Sequence, residues 1–279
     1  MREIEMMKSS AYAGVLVDPG ADNPRLELAN WLDSRWPERA SFIRLQLHNN
    51  RVERSILQKR IYGESLNSYD EDLPARRGWD APIRSLGWVG EPEQPHRWNR
   101  GWSFIRGCIA YVRIEASVFL ERADELFSLF PIRQISMTNS APVFGDLMAS
   151  PFLERLVGLE LCWSGLGDRE TQLLAECPHV RNLRSLGLQC NRIGMEGFEA
   201  LCASPYLEGL VDVNLHGNAA PNPTQEAGYE WTGALVVVSG LPPEGEALER
   251  KYGYKRWLHT ADLFNDRLRS NAFDGDDPV

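Results

Sequence analysis

The sequence is sparing with cysteine, and the cysteines it has suggest no pairing. They are Cys108, Cys162, Cys177, Cys190 and Cys202, an odd number without a CxxC pair. This pattern argues against a disulfide framework and against a zinc site. Reduced thiols fit a cytoplasmic protein, and we expect that location.

Long apolar runs are also missing, although hydrophobic residues make up 43% of the 279 residues. No window approaches the roughly 18 uninterrupted apolar residues that indicate a membrane-spanning helix. The opening stretch, MREIEMMKSS, mixes charges of both signs and lacks the apolar core of a secretory signal. We therefore expect neither insertion into a membrane nor secretion.

Basic residues are scarce in the second part of the chain. Residues 1–107 carry 16 Lys and Arg against 15 Asp and Glu, whereas residues 108–279 carry 14 against 24. Such acidity disfavours nucleic acid, whose binding depends on neutralising phosphates. It favours another protein with a basic surface as the partner, although a role in solubility alone also accounts for it.

Motifs for catalysis and metal binding are missing too. The sequence has no Walker loop, GxGxxG, GxSxG or HExxH. None of its five histidines stands at metal-ligand spacing from another His, Cys or Glu. We expect no enzyme activity, no cofactor and no metal.

The sequence does contain an internal repeat. Five segments share the pattern apolar-x-x-apolar-x-apolar, and their starts are spaced by 23, 24, 27 and 27 residues. The segments are Ile109-Val112-Ile114, Ile132-Ile135-Met137, Leu156-Leu159-Leu161, Leu183-Leu186-Leu188 and Leu210-Val213-Leu215. A Ser or Asn follows three positions after each segment, at Ser117, Ser140, Ser164, Asn191 and Asn218. The alternation predicts short strands with one buried face, followed by a turn that the Ser or Asn side chain bonds.

Helical spacing of apolar residues follows at least two of these strands, over residues 118–130 and 194–203. The pattern over residues 104–218 resembles leucine-rich repeats, and repeat lengths near 27 are similar to the ribonuclease-inhibitor-like subclass. The resemblance implies an α/β solenoid with parallel strands inside and helices outside. An alternating βα enzyme fold is the structural alternative.

The first part of the chain predicts helices, one beginning after Asp22 as N-cap and one from Glu38 to Tyr62. LVDPGADNPRLELANWLDSRWPERASFIRLQ resembles the bacterial repeat-companion domain, a module found beside repeats in myxobacteria and planctomycetes. The matching residues are Asp18, Pro19, Pro24, Arg25, Leu26, Ala29, Trp31, Leu32, Arg39, Phe42, Ile43, Arg44 and Gln46. The resemblance implies architecture and carries no activity.

Three arginines of this motif, Arg25, Arg39 and Arg44, allow two interpretations. They could form a site for an anion or a partner. Alternatively, they bond acidic residues and helix ends within the module, and this structural interpretation is favoured because arginines commonly brace packed helices.

The predicted domains are a helical module at 1–62, a connector and N-terminal cap at 63–103, and repeats at 104–218. A C-terminal cap at 219–270 and a disordered tail at 271–279 complete the chain. In the cap, a strand is predicted at 231–239 after a loop, and then a short helix ending near Gly253.

The connector holds four tryptophans, Trp79, Trp88, Trp98 and Trp102. We expect them to pack between the helical module and the first repeat, because so many large aromatics are unusual in a free linker. An enzyme site lined by Trp88, Trp98 and His96 is a remote alternative.

The candidate binding residues are those predicted on the concave face of the solenoid. They are Tyr111, Arg113, Glu115, Ser136, Thr138, Glu160, Cys162, Trp163, Ser185, Gln189, Asp212, Asn214 and His216. Polar groups with aromatic and arginine anchors are typical of protein interfaces; a solvated or covered face without a ligand is the alternative. Cys162 and His216 share a row two strands apart, roughly 10 Å, too far for a nucleophile and its base.

These features favour a non-catalytic scaffold or adaptor that binds a protein. A narrower alternative is an inhibitor or immunity protein that neutralises a partner enzyme or toxin.

Overall fold

The computed structural model describes residues 2–47, 78–89, 101–224, 227–229, 235–237 and 241–259. The helices are α1 Arg2–Met7, α2 Ser10–Val17, α3 Asn23–Leu32, α4 at 37–47, α5 Ala81–Arg84, α6 Ala116–Leu129, α7 Phe144–Met148, α8 Asp168–Ala175, α9 Met195–Ala203 and α10 Pro243–Tyr252. The strands are β1 Trp102–Ile105, β2 Cys108–Glu115, β3 Gln134–Thr138, β4 Gly158–Glu160, β5 Ser185–Gly187, β6 Asp212–Asn214, β7 Ala227–Tyr229 and β8 Leu235–Val237. This composition confirms the predicted mixed α/β class.

Strands β1 and β2 pair antiparallel, β3–β6 are parallel neighbours in sequence order, and β7 and β8 form an antiparallel pair. The chain divides into two compact units. The first comprises residues 1–113, 124–132 and 270–279, and the second comprises residues 114–123 and 133–269.

The first unit packs its helices around an apolar core. Leu28, Ala29 and Leu32 on α3 are buried against Val15 of α2 and Ile43 of α4. The spacing on α3 is helical, so these side chains share one face. The core therefore fixes the helices through the residues that the 3.6-residue period brings together.

The sequence predicts that Asp22 caps α3, but the Asp22 carboxylate makes no capping hydrogen bond to this helix. It bonds the guanidinium of Arg106 instead, in the turn between β1 and β2. Arg25 is 1% exposed, and it donates from Nε to the Arg106 carbonyl at 3.1 Å and from Nη1 to the Ala21 carbonyl at 3.0 Å. Arg25 thus links α3 to the hairpin turn through a carbonyl that lies outside the predicted helical module.

Arg39 is buried in an aromatic box. Its guanidinium carbon lies 4.8 Å from the ring centroid of Trp79, 5.0 Å from that of Phe104 and 5.4 Å from that of Phe42. The Glu3 carboxylate stands 3.3 Å from Arg39 Nε. Burial raises the pKa of Glu3, because desolvation penalises the charged carboxylate.

Arg44 joins two helices by bonding Asp33 and Asn30. It donates to both Asp33 carboxylate oxygens, at 2.7 and 2.8 Å, and to Asn30 Oδ1 at 2.7 Å. This hydrogen bonding lowers the pKa of Asp33. Gln46 accepts the backbone N–H of Gly107 in the hairpin turn. The motif residues therefore connect segments within the first unit.

The second unit is built on parallel strands. Ile135, Leu159, Leu186 and Val213 are register partners on β3–β6, and all are buried. Every one of the fifteen apolar positions of the sequence repeat is at most 5% exposed. The repeat thus marks the buried side of the sheet.

Two asparagines bridge successive repeats at the turn after the strand. Asn191 Nδ2 donates to the carbonyls of Leu161 and Leu188 at 2.9 Å each, while its Oδ1 accepts the N–H groups of Ser164 and Leu166. Asn218 repeats the arrangement one repeat later, through the carbonyls of Leu188 and Leu215. Each asparagine amide thereby hydrogen-bonds backbone groups of two adjacent turns. Such partners are needed because buried polar groups are destabilising without hydrogen bonds.

Hydrogen bonds also link the neighbouring helices α8 and α9. Asp168 Oδ1 accepts the backbone N–H groups of Gly194 and Gly197, at 2.7 and 2.9 Å, and so caps the start of α9 from the first turn of α8. A Cβ on Gly197 would lie 2.7 Å from Asp168 Oδ1. Glycine is required there because the two helices approach so closely.

The C-terminal region differs in part from expectation. The predicted helix ends as expected, with Gly253 after α10 at φ +80°. A strand begins at Ala227, inside the predicted loop, because it pairs with residues 235–237.

Several predicted features lie outside the described residues. They are the continuation of α4 to Tyr62, most of the 63–103 connector with His96 and Trp98, parts of 231–239, and the 271–279 tail. The domain boundaries therefore stay predictions.

Candidate protein-binding surface

Three rows of side chains cross β3–β6 on the face opposite the buried leucines. The rows are Gln134, Gly158, Ser185 and Asp212; then Ser136, Glu160, Gly187 and Asn214; and last Thr138, Cys162, Gln189 and His216. The last row follows from the same register, since Trp163 N donates to the Gln189 carbonyl at 3.1 Å and Cys190 N to that of His216 at 2.8 Å. We call these twelve positions, together with Trp163 directly after Cys162, the strip.

Three predicted contact residues, Tyr111, Arg113 and Glu115, lie outside the strip. Tyr111 and Arg113 are half-buried on the part of β2 that belongs to the first unit. Glu115, in the second unit, is exposed and accepts a hydrogen bond from Asn139 Nδ2 at 2.9 Å. The strip therefore belongs to the second unit alone.

Ser185 and Asn214 offer a partner little surface, since they are 4% and 2% exposed. Ser185 Oγ donates to Asp212 Oδ2 at 3.3 Å. Asn214 Nδ2 donates to Gln189 Oε1, and its Oδ1 accepts the backbone N–H of His216. These two side chains hydrogen-bond to neighbouring side chains and contribute little accessible surface.

The other predicted residues of the strip have accessible surface. Ser136, Thr138, Glu160, Cys162, Gln189 and Asp212 are half-buried, and His216 is exposed. Gln189 lies between Cys162 and His216 in their row, which leaves those two on strands that are not neighbours. The strip thus presents polar side chains, two of them carboxylates.

Trp163 is the unusual residue at the end of β4. Its backbone adopts the left-handed conformation at φ +57°, as do Asn139, Cys190 and Gly217 at the equivalent points of the other repeats. Glycine and asparagine tolerate this conformation well, whereas a bulky side chain is strained in it. Trp163 is also 78% exposed. A tryptophan that is both strained and exposed makes this turn a candidate contact point.

Three strip residues escaped the sequence prediction: Gln134, Gly158 and Gly187. Gln134 stands at the same register as Ser185 and Asp212, so the period of two along the strand could have identified it. The two glycines have no side chain that could contact a partner. They matter only because they leave space for neighbouring side chains.

Three cysteines away from the strip, Cys108, Cys177 and Cys202, are buried. Burial raises the pKa of Cys202 to about 12 and also raises the pKa of Cys108 and Cys177. A nucleophilic cysteine needs the opposite shift, because the thiolate is the reactive form. These cysteines act as core residues.

Within the described part of the chain, no three His, Cys, Asp or Glu side chains are grouped so as to hold a metal ion. None of the helices described is long and apolar enough to cross a membrane.

No protein-family model matches the sequence, and no curated protein matches it. Among solved structures, the chain is similar to the C-terminal domain of tropomodulin from Caenorhabditis elegans. The identity is 18% and the TM-score 0.30, over 37% of this chain and 65% of that one. The chain therefore spans less than two thirds of that domain.

Proposed function

We propose that this chain is a non-catalytic scaffold or adaptor that binds another protein on the strip. In this proposal the second unit is a leucine-rich-repeat solenoid with the strip on its concave side. The observation that carries the proposal is Trp163, which is exposed although its backbone conformation disfavours a large side chain. Exposed aromatic anchors beside polar groups are typical of binding surfaces.

Hydrogen bonds that recur between neighbouring repeats support the solenoid. Asn191 and Asn218 each bond the turn of their own repeat and that of the preceding one. Such nearest-neighbour bonding is how stacked repeats stabilise one another.

The first unit, in the same proposal, is a repeat-companion module of the bacterial type. Its motif arginines support this assignment, because Arg25, Arg39 and Arg44 each bond or pack against another segment of the unit. Arginines used in this way build a rigid module instead of a ligand site. We also assign the protein to the cytoplasm, where thiols such as half-buried Cys162 and Cys190 stay reduced.

The role is proposed as binding without chemistry. The one thiol and imidazole that share a row of the strip, Cys162 and His216, are separated by the strand that carries Gln189. Two strand spacings amount to roughly 10 Å, whereas proton transfer from a nucleophile needs about 3 Å.

Affinity capture with matched variants tests the proposal. Wild-type protein, Trp163→Gly and Tyr254→Ala are immobilised and exposed to lysate of the native host. Tyr254 is an exposed aromatic outside the strip, so its variant controls for non-specific adhesion. We expect a protein that is retained by wild type and by Tyr254→Ala but lost with Trp163→Gly. An identical set of proteins on all three would contradict the proposal.

The nature of the captured proteins separates the two forms of the function. Several partners favour a scaffold or adaptor. A single basic enzyme or toxin whose activity the chain blocks favours an inhibitor or immunity protein.

A further inference from the structure

Arg39 carries a permanent positive charge into the core of the first unit. Its side chain is 2% exposed and is surrounded by the rings of Phe42, Trp79 and Phe104. A guanidinium group stays protonated at any pH that a folded protein tolerates. A buried charge is costly unless an opposite charge and hydrogen-bond acceptors accompany it. Arg39 therefore needs a counter-ion inside the unit.

Glu3 on α1 supplies only part of that compensation. Its Oε1 lies 3.3 Å from Arg39 Nε, but the contact does not have hydrogen-bond geometry. Glu3 Oε1, Arg39 Nε and Arg39 Nη1 find no hydrogen-bond partner among the described residues. The guanidinium groups of Arg25 and Arg44, in the same unit, do bond to acceptors. Arg39 is thus a buried cation whose donors are incompletely used.

The charge of Glu3 decides the net charge around Arg39. Burial is the main reason that the pKa of Glu3 is raised; Asp80 raises it further, while the Arg39 guanidinium and the amino terminus lower it. Asp80 is itself paired, since Arg84 Nε donates to its Oδ2 at 2.8 Å. The surroundings of the guanidinium are therefore neutral overall when Glu3 is ionised and positive when Glu3 is protonated.

A small cavity adjoins the two side chains. Its volume of about 10 Å³ is enough for roughly one water molecule or one ion of similar size. Glu3 and Arg39 line it together with Tyr12 of α2 and Cys108 of β2, and all of its lining residues belong to the first unit. Tyr12 and Cys108 stay uncharged at neutral pH, because burial raises the pKa of both. Chloride is close to water in size, whereas nitrate, sulfate and carboxylates have several heavy atoms and exceed this space.

We propose that this cavity binds a chloride ion as the counter-ion of Arg39 when Glu3 is uncharged. The ion accepts hydrogen bonds from the guanidinium donors that Glu3 leaves unused. When Glu3 is ionised, the same ion would leave a net negative charge in an apolar interior, which is unfavourable. Binding of chloride and binding of a proton to Glu3 therefore favour each other. Arg39 keeps its packing role, because the ion lies inside the unit and is not a contact for a partner.

Glu3→Gln isolates the site, because glutamine keeps the size of glutamate and removes its charge. Wild type and Glu3→Gln, both full-length, are unfolded with urea at neutral pH in sodium chloride or in sodium gluconate of equal ionic strength. Urea is used because guanidinium chloride itself supplies the ion. We expect chloride to raise the unfolding midpoint of Glu3→Gln relative to gluconate and to raise that of wild type much less, since a ligand that binds the folded state stabilises it.

The indole N–H signal of Trp79 locates the ion by NMR, because the ring centroid lies 4.8 Å from the guanidinium carbon of Arg39. The signal is assigned by its loss in Trp79→Phe. In Glu3→Gln, chloride should shift it and gluconate should not. Adding Arg39→Met to Glu3→Gln should abolish the effect of chloride on the midpoint, whereas adding Arg169→Met, at an exposed arginine of α8, should leave it unchanged.

Wild type provides a second measurement that decides the matter if Glu3→Gln does not fold. Its chloride effect should grow as the pH falls and Glu3 takes up a proton, and a constant effect would contradict the coupling. Equal chloride shifts in wild type and Glu3→Gln would overturn the inference, because the ion would then act elsewhere. A folded Glu3→Gln without a chloride shift would show that the cavity binds no chloride. A nitrate effect equal to that of chloride would refute the size argument.

Discussion

Replacing Trp163 with glycine removes a large side chain yet should leave the fold about as stable as before. The backbone at Trp163 is left-handed, with φ +57°, and the corresponding residue of the next repeat but one is already Gly217. Glycine adopts this conformation without steric cost. The expectation contrasts with the usual result for tryptophan, whose removal from a core is severely destabilising.

The magnitude follows from three contributions. Relief of the left-handed strain should stabilise the fold by about 1–2 kcal/mol, and the greater flexibility of unfolded glycine offsets about 0.5–1 kcal/mol of that. Roughly a fifth of the Trp163 surface is buried, which amounts to about 1 kcal/mol of lost burial for a side chain of this size. The contributions nearly cancel, so the free energy of unfolding should stay within about 1 kcal/mol of the wild-type value.

Guanidinium chloride unfolding, followed by circular dichroism, measures this difference. Trp257→Gly is the matched control, because Trp257 is 2% exposed in the same unit. It should lose at least about 3–5 kcal/mol. A comparable loss for Trp163→Gly would refute the reasoning, because Trp163 would then be a core residue and no longer a binding anchor.

Three further predictions concern the fold. Leu186→Asp should unfold the second unit, with a loss of more than about 4 kcal/mol, because a charge would be buried in the sheet core; a normal melting curve would contradict the register. Asn191→Ala should cost about 3 kcal/mol, since buried backbone groups of two turns lose their partner. Asn182→Ala, on an exposed residue that donates to the Glu154 carbonyl, should cost less than about 1 kcal/mol. The raised pKa of Glu3 means that the folded protein holds this proton more tightly, so stability should fall as pH rises from the unfolded pKa near 4.5 through the folded one. Glu3→Gln should flatten that part of the pH profile, and parallel profiles for the two proteins would show that Glu3 is not responsible.

The buried side of the sheet was predictable because its signal is local. Leucines that recur in steps of three and two, once in every 23 to 27 residues, place the same positions on one face of each strand. Leu159, Leu186 and Val213 accordingly meet as register partners. Only the period of the repeat was needed to align them, since equal repeats stack in equal register.

The presented side of the sheet was less predictable, because exposure there depends on neighbouring side chains. Ser185 and Asn214 lie on the predicted face of their strands and yet are buried. Their side chains are hydrogen-bonded to those of Asp212 and Gln189, respectively, which cover them. Asp22 was expected to cap α3 and bonds Arg106 instead, a residue 84 positions away in sequence. Bonds between distant residues leave no periodic trace in a sequence.

Comparison among the repeats explains why Trp163 stands out. Each of four strand ends needs a left-handed residue, and three of them hold Asn139, Cys190 and Gly217. Asparagine and glycine tolerate that backbone conformation. Cys190 packs closely against Gly217, because a Cβ added to Gly217 would lie 3.1 Å from Cys190 Sγ. Tryptophan has neither advantage, and its ring is 78% exposed. Because glycine would serve the fold equally well at this position, the proposed function gives the tryptophan a role as a contact outside the chain.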